Sequence, residues 1–230
     1  MQVHSIQSLG TLDGPGVRFV VFTQGCPLRC KCCHNPDTWD FDGGQTLSAG
    51  ELARRAGRYK EYFGTQGGIT LSGGEPLLQA AEAAELFTLC KADGIHTCLD
   101  TSGCVMNEDV LHLLTVTDRV LLDVKYTNDA DYREHVGCSL SPVLDFLALL
   151  NEKNIPTTLR QVIIPGLNDS GDNIRALAQI RDTHPCVDKV ELLPFRKLCS
   201  TKYQALHLPF PLAHTPEPTA RTMAELNSLL

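Results

Sequence analysis

The sequence predicts an α/β fold on a parallel sheet, and three observations carry that prediction. Apolar, β-branched runs recur along the chain, helical stretches fall between them, and conspicuous polar residues collect at one end of the runs. The runs are VRFVVFT (17–23), GITLSG (68–73), HTCLDT (96–101), RVLLDVKYT (119–127), TTLRQVIIPG (157–166) and VDKVELLPF (187–195). Strands alternating with helices are βαβ units, because parallel neighbours need a crossover. Six strands suit an open doubly wound sheet or a partly closed barrel. A full barrel of eight units takes about 250 residues, so eight do not fit. No linker, repeat or low-complexity segment divides the chain, and residues 1–230 read as one domain.

The helices follow in order. ELARRAGRYKEYF begins after Thr46 and Ser48, and PLLQAAEAAELFTLCKADG ends on Gly94. SPVLDFLALLNEKN starts at Ser141 as its cap, and IRALAQIRD and TARTMAELNSLL supply two more. Glu75, Asp100, Asp123, Lys125, Arg160 and Arg196 fall at or just beyond the C-terminal ends of the strand runs. Parallel α/β folds build their sites on that edge.

A net charge of −7 argues against a nucleic-acid partner, which needs a basic face. No apolar run approaches the roughly 20 residues that span a bilayer, so no membrane is expected. The opening MQVHSIQSLGTLDGPG has neither a basic leader nor an apolar core, which points to the cytoplasm. Of the ten cysteines, four crowd into residues 26–33, and Cys90, Cys98, Cys104, Cys138, Cys186 and Cys199 are scattered. A disulfide framework suits small secreted chains, so in a reducing compartment the crowded four read as metal binding. The scattered six read as small buried hydrophobes, with Cys199 placed in a loop where exposure is possible.

Residues 25–40 read GCPLRCKCCHNPDTWD, which sets Cys26, Cys30 and Cys33 at C-x3-C-x2-C right after the first parallel strand. Three thiolates are too few for a closed four-iron cubane and suit one whose fourth iron is open. Arg29 and Lys31 stand where they would help to ionise the thiols. The competing reading is zinc, with His34 or Cys32 as fourth ligand, although no second C-x2-C pair follows. In LSGGEP (71–76), Gly73 and Gly74 permit close backbone approach to a ligand with an amino-acid head. Glu75 adds a carboxylate beside them, and Pro76 opens the next helix. Asp100 and Asp123 end adjacent strands beside Thr101 and Lys125. They read either as a cap or ion pair with Lys125, or as a cation or ribose site.

With these residues in view, the chain resembles the pyruvate formate-lyase activating enzymes of the radical S-adenosylmethionine superfamily. The resemblance rests on GTLDGPGVRFVVFTQGCPLRCKCCHNPDTWD, TLSGGEPLLQ, GIHTCLDTSG, VLLDVKY, RQVIIPGLND and ELLPF. It implies a (β/α)6 partial barrel with the cluster loop after the first strand. It also implies a 4Fe–4S cluster whose electron cleaves S-adenosylmethionine, giving a radical that takes hydrogen from a glycine of a partner enzyme. By resemblance, Cys26, Cys30 and Cys33 ligate the cluster, and Cys32, Cys33 and His34 contact the adenine side. Gly73 and Gly74, with Glu75 beside them, meet the methionine ammonium, and Asp123, Val124 and Lys125 the nucleoside and carboxylate. Asp100, Thr101, Asp123 and the Leu121 backbone match a monovalent-cation site for sodium or potassium. Asp13 lies near the entering glycine loop, and Arg160 anchors part of the site. The implied partners are a glycyl-radical enzyme and a flavodoxin or ferredoxin, with the chain itself a monomer.

Two departures stand out. Cys32 occupies a position usually aromatic in the superfamily, and Arg196 replaces a histidine after Leu-Leu-Pro-aromatic. On this reading the Arg196 guanidinium faces the cofactor and stacks on the adenine in place of the missing ring. Some sister activases insert extra cysteine clusters after the first motif, whereas Trp39 to Glu51 here holds no cysteine. The alternatives are an activase of another glycyl-radical enzyme, a small-molecule radical enzyme, or a non-catalytic zinc-binding protein.

Overall fold

A computed structural model describes all of residues 1–230. Its eight strands are β1 (Gln2–Gly10), β2 (Arg18–Thr23), β3 (Gln45–Thr46), β4 (Gly68–Gly73), β5 (His96–Thr101), β6 (Arg119–Asp123), β7 (Thr157–Ile163) and β8 (Val187–Pro194). They lie in one unclosed sheet, in the order β3-β1-β2-β4-β5-β6-β7-β8. β2, β4 and β5 pair in parallel, as do β7 and β8, while β1 runs antiparallel to β2 and β3. The six predicted strands are therefore present and continuous in sheet order, and β1 and β3 add an antiparallel edge.

The helices are α1 (Ala49–Gly57), α2 (Lys60–Phe63), α3 (Ala80–Ala92), α4 (Glu108–Thr115), α5 (Asp129–His135), α6 (Ser141–Glu152), α7 (Gly171–Asp182), α8 (Ser200–Ala205) and α9 (Ala220–Asn227). Their starts follow cap chemistry: Ser48, Asn107, Asn128, Ser170 and Thr219 each accept from a first-turn amide. Ser141 departs from this, because it is the first residue of α6, and Leu140 before it makes no side-chain cap. The stretch expected as one helix over 51–63 breaks after Gly57 into α1 and α2. The helix from Pro76 opens as a 3-10 turn (Pro76–Gln79) before α3, and Gly94 ends that stretch at φ +68°.

The residues gather into two compact units, Met1–Pro27 with Thr38–Leu121, and Leu28–Asp37 with Leu122–Leu230. The first is centred on β2, β4 and β5, whose Phe19, Val20, Val21, Ile69, Leu71, Cys98 and Leu99 are at most 1% exposed. In its middle lies Arg18, wholly buried. Its Nε donates to Thr70 Oγ1 (2.9 Å), and its amino groups to the carbonyls of Pro15, Gln66, Ile69 and His96. Burial disfavours the charge of Arg18 and lowers its pKa, Cys98 and Asp118 work the other way, and the carbonyls satisfy its donors. Thr70 in turn donates to the Asp13 carbonyl at 2.7 Å, which ties the DGPG turn to β4. The second unit is built on β7 and β8, with Leu159, Ile163, Val143, Phe146, Leu147, Ile174 and Leu177 fully buried beside them.

Candidate functional site

All ten cysteines are free, so no disulfide competes for the crowded four. Cys26, Cys30 and Cys33 lie in the loop after β2, with Cys30 buried and the other two half-buried. The loop leaves β2 through Gly25, whose amide donates to Thr38 O at 2.8 Å and whose carbonyl accepts from Glu75 N at 2.9 Å. Further on, the amides of Arg29 and Lys31 donate to the carbonyls of Val136 and His135 at the end of α5. The donor set therefore fits an iron–sulfur cluster. Three soft thiols stand on a loop whose backbone is already held, and none is consumed by a partner cysteine.

Arg29 and Lys31 stand on the loop itself, and Lys125 adds a third cation. Lys31 pairs with Glu134 at 3.1 Å, and an Arg29 amino group donates to the carbonyl of Leu28. The charge of Lys125 acts on Cys30 and Cys32. Burial opposes the Lys125 charge, yet Asp123 and the two thiols hold its ammonium well above its ordinary range. Asp123 accepts from Lys125 Nζ at 2.7 Å. Burial opposes ionisation of its carboxyl, while Lys125 and Arg160 hold it below the usual range. Burial pushes the Cys32 thiol up to about 11, and the charge of Lys125 works against that rise.

The chain just past β6 is pinned by groups that sequence reading missed. Val124 N–H donates to Arg160 O, and its carbonyl accepts from Gln161 Nε2. Both backbone groups of Val124 are thus used by β7, and its side chain is fully buried. These bonds fix the backbone of Val124 just past the end of β6. Tyr132 Oη and Asn168 Nδ2 hold Asp123 and Lys125 through their carbonyls. Arg160 is the fourth residue of β7, not a residue at its end, and faces Glu191 of β8, with Nε 3.9 Å from Oε2.

In the other unit, the Gly-Gly-Glu turn is shaped by its own neighbours. A Cβ on Gly73 would lie 2.5 Å from Thr23 N, and one on Gly74 would lie 2.2 Å from the Gly25 carbonyl. Glu75 is 1% exposed, and four donors fill its carboxylate. Oε1 accepts from Leu77 N (3.1 Å) and Thr101 Oγ1 (2.5 Å), and Oε2 from the amide (3.0 Å) and hydroxyl of Ser102. Glu75 thus caps its own helix and ties down the turn after β5. Asp100 accepts from Ser72 Oγ at 2.7 Å, and Leu121 is buried within β6.

Gly74→Ala should therefore act first on the chain itself, by pushing the Gly25 turn aside. Thermal unfolding of the metal-free variant should begin roughly 3–10 °C lower, the range for about 1–3 kcal/mol of overpacking. A variant as stable as the parent, with weaker S-adenosylmethionine binding, would show instead that the space belongs to a ligand.

Arg196 also departs from expectation. Its Nη1 donates to Glu217 Oε2 at 2.6 Å with the side chain half exposed, and its carbonyl pairs with His34 Nε2 at 3.0 Å. The guanidinium is engaged at the surface, where Glu217, 21 residues on, supplies the counter-charge. Cys199, where exposure was open, is 2% exposed, as the reading of the scattered cysteines as buried hydrophobes expects.

Residues 20–178 match the Radical SAM superfamily. Over 232 residues the chain is 40% identical to the pyruvate formate-lyase 1-activating enzyme of Escherichia coli strain K12, covering all of this chain and 94% of that protein. The pyruvate formate-lyase-activating enzyme of Clostridium pasteurianum is 45% identical over 212 residues, 92% of this chain and 89% of that protein. A crystal structure of a domain of the pyruvate-formate lyase-activating enzyme from Bacteroides vulgatus superposes with a TM-score of 0.60 at 22% identity. The match covers 71% of this chain and 92% of that one and shows the shared fold. Sequence matched over its whole length, a shared sheet and three cysteines outside any disulfide on one held loop agree: the chain belongs to the radical SAM superfamily and, within it, to the pyruvate formate-lyase-activating enzymes.

Proposed function

We propose that the chain activates a glycyl-radical enzyme, pyruvate formate-lyase, by installing the radical on a glycine of that partner. The carrying observation is the set of three cysteines outside any disulfide, Cys26, Cys30 and Cys33, on a loop pinned by backbone bonds. When bound there, a reduced 4Fe–4S cluster supplies the electron that cleaves S-adenosylmethionine and so makes hydrogen abstraction from the glycine accessible. The protein's own part is to hold, orient and exclude water.

Each named residue has a part in that work. The thiolates of Cys26, Cys30 and Cys33 hold iron and leave one position for the substrate. Lys125, charged beside Cys30 and Cys32, offsets negative charge gathered on the loop and offers a donor to a carboxylate. Asp123, kept ionised, offers an acceptor to ribose hydroxyls. The backbone of Gly73 and Gly74 offers groups to the methionine ammonium, and Cys32 to His34 border the adenine. Arg160 steadies Asp123, and Asp13 lies on the turn offered to the incoming glycine. A sodium or potassium ion on Asp100, Thr101, Asp123 and the Leu121 carbonyl belongs to the same reading, since hard cations take oxygen ligands. A flavodoxin or ferredoxin as electron donor, a monomeric chain and a cytoplasmic setting complete it.

The test mixes the reduced, iron-loaded chain with S-adenosylmethionine and pyruvate formate-lyase in the absence of air. A glycyl radical detected by electron paramagnetic resonance, with one methionine and one 5′-deoxyadenosine formed per radical, is the expected result. A radical on a different glycyl-radical enzyme alone would reassign the partner. No radical on any of them, with the cluster intact, would sink the activase reading.

A further inference from the structure

The loop of the three cysteines has two limbs, and the chain holds them by different means. On the first, the Arg29 and Lys31 amides reach the carbonyls at the end of α5, 3.1 and 2.9 Å away. Backbone bonds of that kind accept any side chain. The second limb, residues 33–37, is gripped by side chains 165 to 170 positions further along. Lys202 Nζ donates to Asn35 Oδ1 at 2.8 Å and to Asp37 Oδ1 at 3.0 Å. Tyr203 Oη donates to the carbonyl of Cys33 at 3.3 Å. Pro36, between the two acceptors, has no amide to offer.

Both gripping residues sit on α8, and packing sets its position. Tyr203 is 1% exposed, its ring centroid lies 4.8 Å from that of Phe210, and Phe210 lies 6.2 Å from Phe195 at the end of β8. An ammonium with three rotatable donors suits two acceptors on either side of a proline. A grip so distant in sequence, ending on the carbonyl of the third thiol-bearing residue, restrains where that thiol stands.

We infer that Lys202 and Tyr203 are positioning residues that hold the Cys33–Asp37 limb in place for an iron–sulfur cluster. The inference rests on the cluster reading of Cys26, Cys30 and Cys33, and its test separates the two. Lys202→Met keeps the stem and removes both bonds; Lys202→Arg restores the charge and the donors. In the metal-free full chain, amide exchange over residues 33–38 should quicken about tenfold in Lys202→Met, and return to within about twofold of the parent in Lys202→Arg. In the anaerobically loaded chain, a ferrous chelator should strip iron about fivefold faster from Lys202→Met, with the same rescue. Tyr203→Phe, which keeps the ring, should show a smaller shift in the same direction.

Unchanged exchange in a folded Lys202→Met, or a Lys202→Arg no better than Lys202→Met, would overturn the inference. If Lys202→Met does not fold, Asp37→Asn removes the same ion pair from the loop side and must reproduce the faster exchange. Collapse of both variants would make these residues part of fold stability and overturn the local role. A parent chain that loads no iron would defeat the cluster reading, while the exchange comparison would still decide the grip.

Discussion

Cys26→Ser, Cys30→Ser and Cys33→Ser should each abolish the intact cubane, while Cys90→Ser and Cys186→Ser leave it in place. The reason is ligand chemistry rather than space. Iron in such clusters takes thiolate, and a serine hydroxyl of nearly the same size does not ionise near neutral pH. With only three protein ligands available, losing one leaves too few to retain the core. Cys90, a residue of α3, is fully buried, and burial pushes its thiol up to about 12, so it remains a neutral apolar filler. Cys186 is half-buried at the start of β8, where burial likewise raises its thiol. Iron and sulfide should be counted per chain after anaerobic reconstitution, with close to four of each expected in the parent and in both control variants. Cys32→Ser separates iron from zinc: a zinc site using Cys32 as its fourth ligand loses metal in that variant, whereas a cluster on the other three does not. One zinc per chain, lost in Cys32→Ser, would refute the iron reading.

The strands were legible because each buried parallel strand is a short continuous apolar run. RFVVFT and GITLSG show burial at nearly every position, so they stand out without any periodicity. β1 did not stand out: QVHSIQSLG is half polar, with burial that alternates along an antiparallel edge, and β3 is only two residues. α4, α5 and α8, of eight, seven and six residues, are too short for a helical period to register. Strand ends were less legible than strands. The run through 119–127 leaves the strand at Asp123, and the run ending at 166 leaves it at Ile163, which puts Arg160 inside β7. Within the site, short-range spacing located the thiols and the glycines. The groups that hold them came from far along the chain: Lys202 for Asn35, Ser102 for Glu75, Glu217 for Arg196. Such pairings carry no local signal, because the residue types involved are equally suited to a solvated surface.

Glu75→Gln should be among the most damaging near-isosteric substitutions in the chain, although it changes a single atom. The carboxylate is buried and accepts four hydrogen bonds, two from backbone amides and two from hydroxyls. A glutamine side chain offers one oxygen and one NH2. If the oxygen faces Leu77 N and Thr101, the NH2 is turned toward the Ser102 amide, and two donors oppose each other. If it is flipped, the Leu77 amide takes that position. A hydroxyl can rotate to accept from an NH2, but a backbone amide cannot, so one buried N–H is left unpaired in either orientation. Losing charged acceptors and stranding one donor costs about 2–4 kcal/mol, or roughly 5–15 °C in melting temperature for a chain of this size. Glu75→Leu, which strands all four donors, should be worse still. Thermal unfolding of the metal-free chain is the measurement, so that cluster loss does not obscure it. Ser102→Ala should lower the cost of Glu75→Gln, because the hydroxyl's bond to the charged carboxylate is then already gone, and a double-mutant cycle reads that coupling directly. A Glu75→Gln variant that melts with the parent but binds S-adenosylmethionine weakly would return this carboxylate to the cofactor. An equal loss of stability with and without Ser102→Ala would mean that Glu75 and Ser102 act separately.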